Sequence, residues 1–139
     1  MEKILVSACL LGVNCKYNGG NNYNEKINEF LSDKEIIPIC PEIYGGLPTP
    51  RPASEIKGNR VINVEGKDVT NEFRKGAEET LKLAKMLGVK KALLKAKSPS
   101  CGYKMIYDGT FSNQLIEGNG ITTELLLQEG IEVLTEKDF

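Results

Sequence analysis

The sequence predicts an α/β domain of three layers, Rossmann-like or flavodoxin-like, with a small, mostly parallel sheet and Gly/Pro-rich loops at the strand C-terminal ends. Three observations carry that expectation. Short apolar runs rich in β-formers alternate with stretches of helical period, the segments after the runs are dense in Gly, Asn or Pro, and one very regular helix stands mid-chain. With 139 residues and 40% hydrophobic content, the chain has the size of a single domain, 1–139, built on one core.

Residues 3–8, Lys-Ile-Leu-Val-Ser-Ala, read as a buried first strand. Residues 9–22 have neither period and are rich in Gly and Asn, which marks a loop. Ile27, Phe30 and Leu31 give 25–32 the spacing of a short amphipathic helix. A second strand follows at 35–40, with Pro38 arguing for an edge or a last pairing position. The stretch 45–52 holds three prolines and two glycines, an irregular but stiff backbone of the kind that shapes a site.

Residues 60–64 and 67–69, on either side of Glu65-Gly66, suggest a small hairpin. Thr70 is the expected N-cap of the most regular helix. In it Phe73, Ala77, Leu81, Ala84 and Leu87 recur at intervals of 4, 4, 3 and 3, and Gly88 supplies the stop. Gly76 costs that helix about 1 kcal/mol relative to alanine, which implies a close backbone approach there. A third strand at 89–96 runs into the loop Lys97-Ser98-Pro99-Ser100-Cys101-Gly102. Residues 105–111 suggest a hairpin around Asp108-Gly109, Thr122 caps a helix through Glu129 that Gly130 ends, and 131–134 form a last strand.

Eighteen basic residues against nineteen acidic leave a net charge of −1, so no electrostatic excess draws the chain to nucleic acid or to an anionic membrane. The N-terminal apolar run breaks at Ser7 and reads as neither a signal peptide nor a membrane span, so a cytoplasmic location is expected. In a reducing compartment the four cysteines are expected as metal ligands, catalytic thiols or buried residues rather than disulfides. The chain has no histidine, which removes every Cys-His or Ser-His nucleophile pair and every His-containing zinc site.

Ligands of an open parallel sheet bind beyond the carboxyl ends of its strands. Cys9 closes the first predicted strand, Cys15 lies in the loop after it, Cys40 closes the second, and Cys101 lies in the loop after the third. All four therefore belong on one edge, where a shared site is the economical reading. Inert buried cysteines and redox-active thiols stay open as alternatives, although no Cys-x-x-Cys pair supports dithiol chemistry. The spacings also lack the paired knuckles of structural zinc, while iron-sulfur ligation tolerates dispersed thiolates.

Three motifs carry a resemblance that spans nearly the whole chain. Ser7-Ala8-Cys9-Leu10-Leu11-Gly12 with Cys15 and Tyr17 is the first, and Cys40-Pro41-Glu42 with Gly45-Gly46-Leu47-Pro48-Thr49-Pro50-Arg51 the second. With the third, Lys97-Ser98-Pro99-Ser100-Cys101-Gly102, the chain resembles the bacterial domain-of-unknown-function family that contains the iron-sulfur-dependent thiouracil desulfidases. That resemblance implies a [4Fe-4S] cluster held by three of Cys9, Cys15, Cys40 and Cys101, which one is spare being open. The remaining iron would bind the sulfur of a small thiocarbonyl substrate, a 2-thiouracil-like base, giving the oxo product and sulfide without net redox. A cluster with an open iron is expected to be lost from protein prepared in air.

The resemblance further implies Glu42 and Ser98 as catalytic groups, and without histidine Glu42 is the best candidate for the base that activates water. Ser100, Arg51 and Tyr17 are candidates for substrate contact, and Lys97 could add positive potential. Asn18 and Asn119 stand where relatives often carry Asp. A monomer or weak homo-oligomer is expected. The same thiolates would also serve a non-catalytic cluster-binding or cluster- and sulfur-delivery protein, a reading favoured if protein thiolates saturate all four irons.

Overall fold

A computed structural model describes all residues, 1–139. Strand β1 (Glu2–Ser7) leads into a 3-10 turn over Ala8–Leu11, and a second 3-10 turn (Glu25–Ile27) continues into α1 (Asn28–Leu31). Then come β2 (Lys34–Ile39), α2 (Pro41–Tyr44), a hairpin of β3 (Ser54–Lys57) and β4 (Arg60–Asn63), and α3 (Thr70–Leu87). Strand β5 (Lys91–Leu94), the hairpin of β6 (Met105–Tyr107) and β7 (Leu115–Glu117), α4 (Ile121–Gln128) and β8 (Glu132–Thr135) complete the chain.

The central sheet is parallel throughout, in the order β2-β1-β5-β8. Ile4, Leu5 and Val6 of β1 are wholly buried, as a strand flanked on both sides must be. β2 is an edge strand, which is why it tolerates Pro38, paired in register with Val6. One face carries the larger core, where Leu5, Ala92, Leu94 and Val133 of the sheet meet Ala84 of α3 and Leu126 of α4. The opposite face is closed by Leu10, Ile27 and Leu31 on Ile4, Val6 and Leu93. The third layer is therefore thin, made of two 3-10 turns and one helical turn. No helix is long and apolar enough to cross a membrane.

Several expectations need correction. β1 ends at Ser7, so Cys9 lies in the 3-10 turn beyond the strand, where Gly12 at φ 97 ends the turn. Residues 41–44 form a short helix started by Pro41 at its first position. The hairpin partner of β4 is β3, not 67–69. Gly58 at φ 63 supplies a two-residue turn between them, while Asp68 makes only a single bridge to Ile62. The second hairpin pairs 105–107 with 115–117 around a longer turn, 108–114.

Neither predicted threonine cap holds. Thr70 is the first residue of α3, and its hydroxyl accepts the Val61 N–H at 2.8 Å while Asp68 Oδ1 accepts the Thr70 N–H at 2.9 Å. At α4 the N–H groups of Ile121 and Thr122 donate to the carbonyls of Pro99 and Ser100, both at 2.9 Å. The cysteine loop itself thus satisfies the helix start. Thr122 is buried with its Oγ1 unpartnered. Thr122→Val should accordingly raise stability by about 1 kcal/mol, read as a higher urea midpoint.

The close approach expected at Gly76 is present. A Cβ there would overlap the Pro41 carbonyl, and one on Gly45 would overlap that of Glu72, so α2 and α3 meet backbone to backbone. This contact anchors the residues after Cys40. Because the clash is with main chain rather than a flexible side chain, it outweighs alanine's helix preference. Gly76→Ala should lower stability by about 1–3 kcal/mol in a urea titration; an unchanged midpoint would mean that α2 can withdraw without cost.

Candidate active site

A cavity of about 480 Å³ opens at the carboxyl edge of the sheet, and all four cysteines line it. Cys40 directly follows β2, Cys9 lies just past β1, and Cys101 sits in the loop after β5. Those three strands are neighbours, so three thiols come from the connections that leave three adjacent strands on one edge. Cys15 comes from the Gly/Asn-rich loop.

None of the four is in a disulfide. No three His, Cys, Asp or Glu side chains converge closely enough to hold a lone ion, so the thiols line a space rather than clasp a point. Asn22 Nδ2 donates to Cys9 Sγ at 3.4 Å, and Cys40 Sγ lies 3.9 Å from the Cys15 carbonyl oxygen. Burial pushes the Cys15 thiol up to about 12, reinforced by Cys40 beside it, and burial pushes Cys101 up to about 12 as well. Cys9 is raised for the same reason, with the Asn22 hydrogen bond opposing. Unligated, Cys9, Cys15 and Cys101 keep their protons; a metal center would displace them.

Beside the sulfurs, Glu42 Oε1 accepts from Arg51 Nε at 3.0 Å, and Glu42 Oε2 accepts from Ser100 Oγ at 2.8 Å. Ser98 Oγ lies 2.9 Å from Ser100 Oγ and accepts the backbone N–H groups of Ser100 at 3.1 Å and Cys101 at 3.0 Å. Those two donors occupy the lone pairs of Ser98, so its proton points to Ser100, whose own proton points to Glu42. The direction of the chain follows from satisfaction alone. Lys97, which also lines the cavity, adopts a left-handed φ of 69 just before Ser98.

Arg51 turns its donors into the protein. Nη1 reaches the Pro48 carbonyl at 3.1 Å and Thr49 Oγ1 at 3.0 Å, and Nη2 reaches the Cys15 carbonyl at 2.9 Å. With side-chain exposures of 5% and 15%, Arg51 and Glu42 form a largely buried ion pair. Arg51 therefore ties the carboxylate to the Cys15 loop.

The structure brings Glu42, Arg51, Ser98, Ser100, Lys97 and Tyr17 to the same cavity as the thiols. Tyr17 stands at its rim, 43% exposed. Asn18 and Asn119 lie outside it, Asn18 accepting the Gly20 N–H in a turn and Asn119 bonding Lys104 and Glu124. Sequence reading missed Lys95, which lines the cavity and pairs with the buried Glu136 at 2.9 Å. It also missed Phe111, which lines the same cavity. Both depend on contacts between distant residues, and no local pattern announces them.

Three comparisons bear on this site. A family model described as 2-thiouracil desulfurase matches residues 4–138. The uncharacterized protein YbbK of Bacillus subtilis (strain 168) is 41% identical over 145 residues, covering 97% of this chain and 96% of its own. A solved structure of TudS, a [4Fe-4S]-dependent thiouracil desulfidase, superposes with a TM-score of 0.93 at 43% identity, over 100% of this chain and 93% of its own.

Proposed function

Since the chain belongs to the 2-thiouracil desulfurase family, we propose that it is a [4Fe-4S]-dependent desulfidase acting on a thiocarbonyl of a 2-thiouracil-like base, without net redox. The observation that carries this reading is one cavity lined by four free thiols and a carboxylate with its serine chain. The donor set fits the group: dispersed thiolates around a space suit a polynuclear iron-sulfur center better than a single ion. Cys9, Cys40 and Cys101 would hold it, because Cys40 directly follows β2, Cys9 sits in the short turn after β1, and Ser98 Oγ and Thr123 Oγ1 pin the Cys101 main chain, and Cys15 on the Gly/Asn-rich loop is the fourth thiol. When bound, such a cluster with one iron free of protein ligands supplies a soft Lewis acid for the thiocarbonyl sulfur.

The residues then divide the remaining work. Glu42, whose two oxygens are held by Arg51 and Ser100, takes a proton from water as that water's oxygen bonds to the thiocarbonyl carbon. Arg51 keeps the carboxylate aimed. The Ser98–Ser100 chain orients Oε2 and links it to the Cys101 loop. As the carbonyl forms, the carbon–sulfur bond breaks and sulfur leaves as hydrosulfide. Overall, C=S and water give C=O and hydrogen sulfide, and neither reactant gains or loses electrons.

Anaerobic reconstitution with iron and sulfide tests the reading. We expect about four irons per chain and uracil and sulfide released from 2-thiouracil in equal amounts, with no dependence on an added oxidant or reductant. A protein that takes up no iron, or turnover that requires a reductant, would count against it.

A further inference from the structure

Resting on the desulfidase reading, we propose that Phe111 selects a flat ring by stacking on it from the lining of the cavity, with Glu55 as the positioning residue that holds it there. The sulfurs and Glu42 line the cavity from the loops beyond the sheet's strands, and the turn 108–114 between β6 and β7 contributes Phe111 to the same lining.

Phe111 adopts φ 57, a left-handed conformation that crowds the Cβ of any residue other than glycine. Such a residue persists only where its surroundings over-determine it, and such positions cluster at ligand sites. Three contacts do so here. Glu55 Oε1 accepts the N–H groups of Gly109 at 3.0 Å and Phe111 at 3.1 Å. Asp108 Oδ1 closes the turn by accepting the Thr110 N–H at 3.0 Å. Gly109 lies so close to β3 that a Cβ would sit 2.8 Å from the Ile56 carbonyl oxygen.

A carboxylate, an Asp turn and a glycine are thus committed to a half-buried ring that packs into none of the three apolar clusters. It lines the cavity instead. Of the other two aromatic residues that line the cavity, Tyr17 is more exposed and carries the Lys16 ammonium 5.7 Å from its ring center, and Tyr107 belongs to β6, paired with Leu115, with no strained backbone holding it. A thiolated base is flat and has a π face, so an aromatic ring in the lining of the sulfur cavity discriminates it from puckered thioamides.

The test measures binding of uracil and of the puckered 5,6-dihydrouracil to the reconstituted protein by calorimetry. Phe111→Ala should weaken uracil by about tenfold and abolish the preference for uracil over dihydrouracil. Phe111→Tyr should retain both, and Glu55→Ala should lose part of each. A merely structural role for Phe111 would not change the uracil-to-dihydrouracil ratio. If Phe111→Ala keeps wild-type affinity and preference while 2-thiouracil is still turned over, the stacking proposal falls and the desulfidase reading stands. A wild type that neither binds uracil nor releases sulfide overturns both.

Discussion

Glu42→Gln should reduce sulfide release from 2-thiouracil by about 10²–10⁴-fold with iron content unchanged, the range a positioned general base contributes. The amide keeps the shape of the carboxylate and loses only its basicity and charge. Its oxygen can still accept from Arg51 Nε, and Arg51 keeps its bonds to Pro48, Thr49 and Cys15, so the pocket should survive. The amide nitrogen reverses the polarity toward Ser100, which must then accept rather than donate. Ser100→Ala, which removes the Oγ 2.8 Å from Glu42 while leaving the Arg51 pair, should produce a smaller loss. Full activity in Glu42→Gln would remove Glu42 from the chemistry and leave the base to be sought elsewhere in the cavity.

Replacing Cys9, Cys40 or Cys101 with alanine should abolish cluster uptake, lowering iron from about four per chain to near zero after anaerobic reconstitution. Cys15→Ala should retain the iron. The contrast follows from placement. Cys40 directly follows β2, Cys9 sits in the 3-10 turn after β1, and the Cys101 main chain is pinned by Ser98 Oγ, which accepts its N–H, and by Thr123 Oγ1, which donates to its carbonyl, whereas Cys15 lies in the Gly/Asn-rich loop and is held through its carbonyl to Arg51. Cluster binding is linked to folding, so the loaded wild type should also unfold at a higher temperature than the iron-free protein, and the three ligand variants should lose that increment. Retention of iron by Cys101→Ala together with its loss in Cys15→Ala would transfer the third ligand to the loop.

How much of this was legible in the chain can be followed residue by residue. The alternation of short apolar runs with helical period and the recurrence from Phe73 to Leu87 report on one element at a time. The parallel-sheet rule then converts that order into a shared edge for the cysteines. The Gly76 contact was also legible, since a glycine inside a regular helix is costly unless something lies against it. The predicted caps at Thr70 and Thr122 failed for a common reason: a threonine before a helix signals a cap only while its hydroxyl has no better partner. Here Val61 takes one hydroxyl, and the cysteine loop satisfies the other helix start.

The sequence by itself determined the α/β layering, the edge on which the thiols gather and the absence of any histidine for the chemistry, because periodicity, chain order and composition are local properties. Tertiary structure alone decided which strand pairs with β4, how Ser98 and Ser100 point at a carboxylate 58 residues from Ser100, and how Glu55 bends Phe111 over the cavity 56 residues away. Those arrangements rest on hydrogen-bond satisfaction and backbone strain balanced across distant segments, and such balances exist only once the segments are packed together.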